Sequence, residues 1–241
     1  MKTNDITLFS SFAKDRLYDQ NNTFLGEQLG GPAYYIVKAL REENIRTIVP
    51  QSLWFTVDIM VTKNGEFGKI RFAPKSIDIP WSSITSPMVY ISTILNEFLL
   101  NSINLYKGKV FLDIQGYVRD GNTYGAKKIL GYSLKALQNI YCMKGTKEEF
   151  SYIPKNILQM QKKKILLITN GSKGSVIYVN SRIYRITTST ILKPIDTIGA
   201  GDTLFALFIA GMSKNWSPQK ALSYATDKTV HFLQNKCFKN N

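Results

Sequence analysis

Cysteine is scarce in this 241-residue chain. Cys142 and Cys237 are too few for a disulfide framework, so a reducing cytoplasm is the expected setting. Histidine is scarcer still: His231 stands alone, reads as structural rather than catalytic, and has no cluster of metal-ligating side chains beside it. No apolar run approaches the roughly 20 residues that cross a bilayer. Met1 to Asp5 does not begin a secretory signal. Internal repeats and low-complexity linkers are missing as well. These absences exclude a disulfide scaffold, a membrane-spanning chain and a repeat array. An ordinary globular protein is left, with 44% apolar and 20% charged residues.

Acidic residues are the other shortage: 17 Asp and Glu face 31 Lys and Arg, for a formal charge of +14. Such a surface attracts nucleic acid, anionic membranes or phosphorylated ligands. The lysines are scattered, however, and the densest run, Lys162-Lys163-Lys164, only precedes a buried strand. Aromatic residues do not interleave with arginine as they do in nucleic-acid modules. Neither a specific nucleic acid nor a membrane is therefore expected as partner. For a nucleic-acid reading only net charge speaks, and salt-dependent retention on DNA tests it.

What is present concentrates in residues 196–202, Asp-Thr-Ile-Gly-Ala-Gly-Asp. Upstream, Tyr184 to Ile195 reads as extended. Downstream, Leu204, Phe205, Leu207, Phe208, Ile209 and Met212 make a segment apolar on every side, as in a buried helix. A Gly-Ala-Gly turn thus opens straight into a helix. Its glycines let backbone approach a ligand closely, and first-turn N–H groups have no helical partners. With the helix dipole behind them they suit phosphate. Asp202, in that same turn, can take a proton from a hydroxyl held beside the phosphate. A helix cap and a plain turn account equally well for Gly-Ala-Gly-Asp taken alone.

Taken whole, the string resembles the C-terminal signature of the PfkB/ribokinase family of carbohydrate kinases, D-T-x-G-A-G-D, with every fixed position matched. The resemblance implies an anion hole for the transferred phosphoryl group, made by the amides of Gly199, Ala200 and Gly201. It makes Asp202 the catalytic base. It further implies ATP and Mg2+, Thr197 on the nucleotide side, and potassium or another monovalent cation beside the Asp196–Ile198 loop.

Other segments follow in the family's order. Asp5 to Phe12 reads as a first strand, and Asp15, in a loop after it, matches the family's substrate-binding Asp; turn chemistry is its plainer role. Gly30-Gly31-Pro32-Ala33 opens a helix whose stripe is Tyr35, Ile36, Ala39 and Leu40. It resembles the family's Gly-Gly motif, which lets backbone reach the substrate and hinges the lid. Ile45 to Val49 is a short strand. Phe55, Val57, Ile59 and Val61 then alternate with Thr56, Asp58, Met60 and Thr62, and the Asn-Gly turn at Lys63 to Glu66 returns the chain through Phe72. This hairpin resembles the family's β-sheet lid, with lid elements within about 15–31 and 53–73. Phe55, Met60, Phe67 and Phe72 either line the acceptor pocket or pack in a core or interface. The chain is shorter here than family members are, which makes a homodimer through the lid, completing the pocket, an expectation.

Met88 to Thr93 and Lys109 to Ile114 read as buried strands. The second runs into Asp113-Ile114-Gln115-Gly116-Tyr117-Val118-Arg119, which resembles a pattern of some small prokaryotic members. Asp113 faces the phosphate or metal region in that reading; Arg119 binds an anion or is structural. Where the family shows Asn-x-x-Glu, this chain has Thr146-x-x-Glu149, so the Glu that orders magnesium-bound water is kept. Thr-x-x-Glu is also a capping box, and both roles can hold together. Ile165 to Thr169 is a buried parallel-type strand ending in Asn170-Gly171-Ser172-Lys173-Gly174. It resembles the family's nucleotide loop, which places Thr169, Asn170, Gly171 and Gly174 on the nucleotide side. Ser217-Pro218 starts a last helix.

Strands alternating with helices argue for an α/β fold. The resemblance makes it a ribokinase-like three-layer α/β/α domain, 1–241, with a mostly parallel central sheet and a small β-sheet lid. The function it implies is ATP-dependent phosphorylation of an alcohol group on a sugar or sugar-like acceptor. The alternative is a catalytically weak ligand-binding or regulatory relative, favoured by the missing Asn at Thr146 and opposed by the intact Asp202 and anion hole.

Overall fold

The continuous apolar runs of the sequence are strands covered on both faces. The structure, a computed structural model, describes residues 5–62, 65–121, 126–187 and 197–239. Its elements are, in order, β1 (Ile6–Tyr18), β2 (Phe24–Gly30), α1 (Pro32–Glu42), β3 (Thr47–Ile48), β4 (Leu53–Thr62), β5 (Gly65–Phe72), β6 (Ile77–Asp78) and β7 (Met88–Ser92). There follow β8 (Phe98–Leu99), β9 (Lys109–Asp113), α2 (Gln115–Val118), α3 (Leu134–Leu137), β10 (Ile140–Thr146), α4 (Lys147–Phe150) and α5 (Lys155–Lys162). The chain closes with β11 (Ile165–Thr169), β12 (Ser175–Val179), β13 (Arg182–Ile186), α6 (Ala200–Ser213) and α7 (Pro218–Lys239).

The large sheet runs β13-β12-β11-β10-β9-β7-β1, with β11, β10, β9, β7 and β1 parallel; at the far edge β12 pairs antiparallel with β11 and β13 antiparallel with β12. Alternate side chains of each strand enter different cores. Tyr90, Phe111 and Leu167 pack with α1, α6 and α7, whereas Val89, Leu112 and Leu166 pack with Ile153 and Ile157 on the other side. That alternation is the three-layer arrangement expected, and it explains why the strands read as unbroken apolar runs. α6 is apolar all round because it is enclosed: every residue from Thr203 to Ser213 is buried, with α1 and α7 against it.

One expectation is corrected. β1 does not end at Phe12 but continues to Tyr18. Its first half pairs with β7 over Ile6 to Ser10; its second half pairs with β4 from Ser11 onward and with β2 from Ala13 onward. Strands β2, β1, β4 and β5 form a smaller, mixed sheet at one end of the molecule, so one strand belongs to both sheets. The Lys14-Asp15-Arg16 charges hide this continuation, although Ala13, Asp15 and Leu17 keep strand alternation. Lys63 and Asn64 of the expected turn, and residues 188–196 of the run before the Gly-Ala-Gly turn, lie outside the described residues.

Candidate active site

A cleft of about 1110 Å³ opens between the inner face of the small sheet and the carboxyl ends of the parallel strands. Open α/β sheets place their ligands at such ends. Here Ser92 ends β7, Asp113 ends β9, Thr146 ends β10 and Thr169 ends β11.

The Gly-Ala-Gly turn enters from the opposite side and starts α6. Gly199 is left-handed, with φ 77°, and lies so close against the Tyr35 ring that no side chain fits there. The Ala200 N–H closes a turn on the Thr197 carbonyl at 3.1 Å, and the Thr203 N–H reaches the Gly199 carbonyl at 2.9 Å. Among the described residues the amides of Gly199 and Gly201 make no backbone hydrogen bond. They are the open donors of the cradle.

Asp202, one residue on, accepts a hydrogen bond from Ser92 Oγ at 3.1 Å. Burial pushes its carboxyl up to about 6; Lys144 opposes the shift, Asp113 adds to it, and Ser92 and Arg119 oppose it. A carboxylate of that basicity is poised to take a proton near neutral pH.

Lys144 is the residue that the motifs do not announce. It is 5% exposed, and its Nζ lies 2.6 Å from Asp113 Oδ2. A methyl group placed on Gly201 would come within 3.1 Å of that Nζ, so the ammonium sits directly under the cradle. Burial alone would lower its pKa, but Asp113, Asp202 and Glu149 together hold it above the ordinary lysine value. Asp113 is fully buried, and its Oδ1 accepts the Gln115 N–H at 3.1 Å. Both of its oxygens are engaged, one by the Lys144 ammonium and one by a backbone N–H, at the strand end expected to face the phosphate or metal region. A lysine directly after the apolar run Ile140 to Met143 is the signal that the sequence offers, since lysine is almost never fully buried unless paired. Ser92 offered no comparable signal.

On the small-sheet side, Asp15 is 3% exposed and lines the cleft from within β1, not from a loop. Gly31 also lines it; at φ 78° an added Cβ would meet Ala13 N at 2.6 Å, so the turn lies directly on β1. Gly30 is absent from the lining and lies against the Asp15 carboxylate. Phe55 belongs to a small core with Ala13 and Ile94, and Phe72 is exposed; Val57, Ile59 and Ile70 face the cleft instead. Met60, which pairs with Tyr18, is not among the lining residues, and the Phe67 side chain lies outside what is described. Arg119 lines the cleft while donating from Nη1 to the Ile94 carbonyl at 2.9 Å.

On the far side Thr169, Gly171, Gly174 and Thr197 line the cleft. Asn170 faces a side groove with Lys147 and Ser151. Thr226, Thr229, Val230 and Leu233 of α7 complete a wall there. The capping box at the head of α4 is present: the Thr146 N–H reaches Glu149 Oε2 at 2.7 Å and the Glu149 N–H reaches Thr146 Oγ1 at 3.1 Å. Glu149 is buried and lines the cleft all the same. His231 is exposed on α7, 3.1 Å from Gln234 Oε1. Asp196 lies outside the described residues.

Residues 132–227, which hold Lys144, the loop after β11 and the Gly-Ala-Gly-Asp turn, match the model of the pfkB family carbohydrate kinases. Over that segment the chain resembles the pfkB family carbohydrate kinases. A Mycoplasma genitalium protein provisionally named 1-phosphofructokinase is 33% identical over 64 residues, 27% of this chain. The chain spans 21% of the length of that curated relative. Among solved structures, a pyrophosphate-dependent kinase of the ribokinase family superposes with a TM-score of 0.71 at 16% identity, covering 95% of each chain. The ribokinase of Thermotoga maritima gives 0.67 at 16%, over 93% of this chain and 91% of that one. The nucleoside kinase of Methanocaldococcus jannaschii gives 0.67 at 18%, over 97% and 99%. At such identities these likenesses show the ribokinase-like fold alone, with its mostly parallel sheet and its small additional sheet.

Proposed function

We propose that the protein is a kinase that transfers the γ-phosphoryl group of ATP to an alcohol group of a sugar or sugar-like molecule. The observation that carries this reading is the Asp202 carboxyl, raised to about 6, in the helical turn that also presents the Gly199 and Gly201 amides. The acceptor lies between Asp15, Gly31 and the small sheet, which acts as a lid on a single-domain enzyme. As its hydroxyl oxygen bonds to the γ-phosphorus, Asp202 accepts the proton, and the bridging P–O electron pair leaves with ADP. The first-turn amides and Lys144 meet the charge of the transferring group.

Magnesium suits these residues when it arrives with the phosphates. No group of three or more His, Cys, Asp or Glu side chains gathers among the described residues, and Glu149 keeps one oxygen beyond its cap. Glu149 would hold the ion's water, as is usual for magnesium, and the ion would neutralise phosphate charge. Lys69, Arg119 and Lys127 line the acceptor side and favour an acceptor that is already anionic. A buried free thiol at Cys142 accords with a cytoplasmic setting. No described helix is long and apolar enough to cross a membrane.

Donor consumption across sugars, sugar phosphates, nucleosides and inositol tests the reading, with ATP and pyrophosphate compared as donors. Turnover of one acceptor with ATP establishes the kinase and names its substrate. Turnover with pyrophosphate alone reassigns the donor. ATP binding without any turnover transfers the reading to a ligand-binding relative.

A homodimer through the outer face of the lid belongs to the same proposal. Leu29, Trp54 and Phe72 are 56%, 45% and 59% exposed there, beside the Lys14–Glu27 and Arg16–Asp58 pairs. Apolar surface gathered on one rim-charged face marks an association site. Sedimentation should give twice the chain mass, and Trp54→Glu with Phe72→Asp should give a monomer. A monomeric wild type at assay concentrations would remove the dimer from the proposal.

A further inference from the structure

Lys236, near the end of α7, reaches out of its own helix to the loop that precedes the cradle. Its Nζ donates to the Ile198 carbonyl at 2.8 Å. The same ammonium lies 5.3 Å from the Tyr35 ring centroid and 5.4 Å from that of Phe232. Those two rings meet edge to face, 6.1 Å apart and at 85°. Tyr35 is also the ring against which Gly199 is pressed. Three helices therefore converge on one peptide: α1 supplies Tyr35, α7 supplies Phe232 and Lys236, and α6 begins just beyond.

The peptide in question is Ile198–Gly199. In a planar trans peptide the C=O of one residue and the N–H of the next point in opposite directions. Holding the Ile198 carbonyl on the ammonium consequently aims the Gly199 N–H the other way. Gly199, left-handed at φ 77°, would otherwise let that peptide rotate with little resistance. A carbonyl backed by two aromatic faces is also an environment that attracts a compact cation. In this chain a lysine already occupies it.

We infer that Lys236 is a positioning residue whose tethered ammonium pins the Ile198–Gly199 peptide with the Gly199 N–H facing the transferring phosphate, so that the enzyme needs no added monovalent cation. This rests on the kinase reading, and two independent readouts separate it from that reading. The first is turnover in sodium, potassium, ammonium and choline chlorides at fixed ionic strength. Wild type should be indifferent to the cation. Lys236→Met, which keeps the aliphatic stem, should lose about tenfold or more in kcat with a smaller change in KM, less than the ~10²–10³ of deleting an oxyanion donor. Potassium or ammonium should restore part of the loss and choline none, and Lys236→Arg should remain close to wild type.

The second readout is calorimetric binding of pyrophosphate and of a non-hydrolysable ATP analogue. The methionine variant should bind several-fold more weakly and recover with potassium. A wild type that requires potassium, or a methionine variant that matches wild type in both readouts, overturns the inference. If no acceptor is turned over by wild type, the kinase reading fails while calorimetry still decides the role of Lys236. If the methionine variant does not fold by circular dichroism, the arginine variant and the cation series on wild type decide it.

Discussion

Asp202→Asn should lower kcat by about 10²–10⁴-fold, the range that a positioned general base supplies, and leave the protein more stable near neutral pH. The two effects share one cause. Burial raises the Asp202 carboxyl to about 6, above its ordinary 3.8, so the folded state pays for ionising it. Asparagine keeps an acceptor for Ser92 Oγ without the charge. A shift of that size corresponds to a gain on the order of 1–3 kcal/mol. Because the folded pKa is raised, the gain should be full well above pH 6 and fade as pH falls toward 4. Denaturant titrations at pH 4.5 and 7.5 measure it. The wild-type kcat/KM should fall on the acid side of pH 6, where the base carries its proton already. Retention of most turnover by the asparagine variant, or an acid limb lying near pH 4, would show that Asp202 is not the base.

The other large effect belongs to Lys144. Lys144→Met leaves Asp113 charged, fully buried and without its cation, a situation that costs about 3–5 kcal/mol in buried pairs. Turnover should fall by about 10²–10³-fold, as when a donor to transition-state charge is removed. Stability and catalysis can be told apart with a second change. Lys144→Met combined with Asp113→Leu removes both charges, and its melting temperature should return toward that of wild type. Its turnover should stay low. Recovery of activity along with stability would mean that the pair is only structural.

The parts of the site that sequence made legible are those whose partners lie within one turn of chain. Gly199 to Asp202, Gly30-Gly31-Pro32 and Thr146-x-x-Glu149 each need certain residue types at fixed offsets, and the structure has a turn, a helix start and a capping box there. Lys144 and Asp113 are 31 positions apart and become partners only because β10 and β9 pair in a parallel register that sets them side by side. Ser92 and Asp202 are 110 positions apart and meet only across two layers. Such pairs depend on register and stacking, which hydrophobic pattern constrains but does not specify. Asp15 was misplaced for a different reason. A cluster of charges looks like a loop, whereas here Lys14 and Arg16 face outward into ion pairs and Asp15 inward, as neighbours on a strand must.

That strand carries a constraint on how this protein can change. Even-numbered Ile6 and Leu8 enter one core, and even-numbered Lys14 and Arg16 point away from the cleft; odd-numbered Phe9 enters the opposite core, and odd-numbered Ala13 and Asp15 lie toward the cleft. A single count runs through two sheets with different duties. Gaining or losing one residue between Phe9 and Ala13 would invert one half relative to the other, exchanging a buried carboxylate for an ammonium at the cleft wall. Lengthening the tips of β2, β4 and β5 leaves that count untouched. A one-residue change within β1 keeps both halves in place only where a bulge or a second, compensating change restores it.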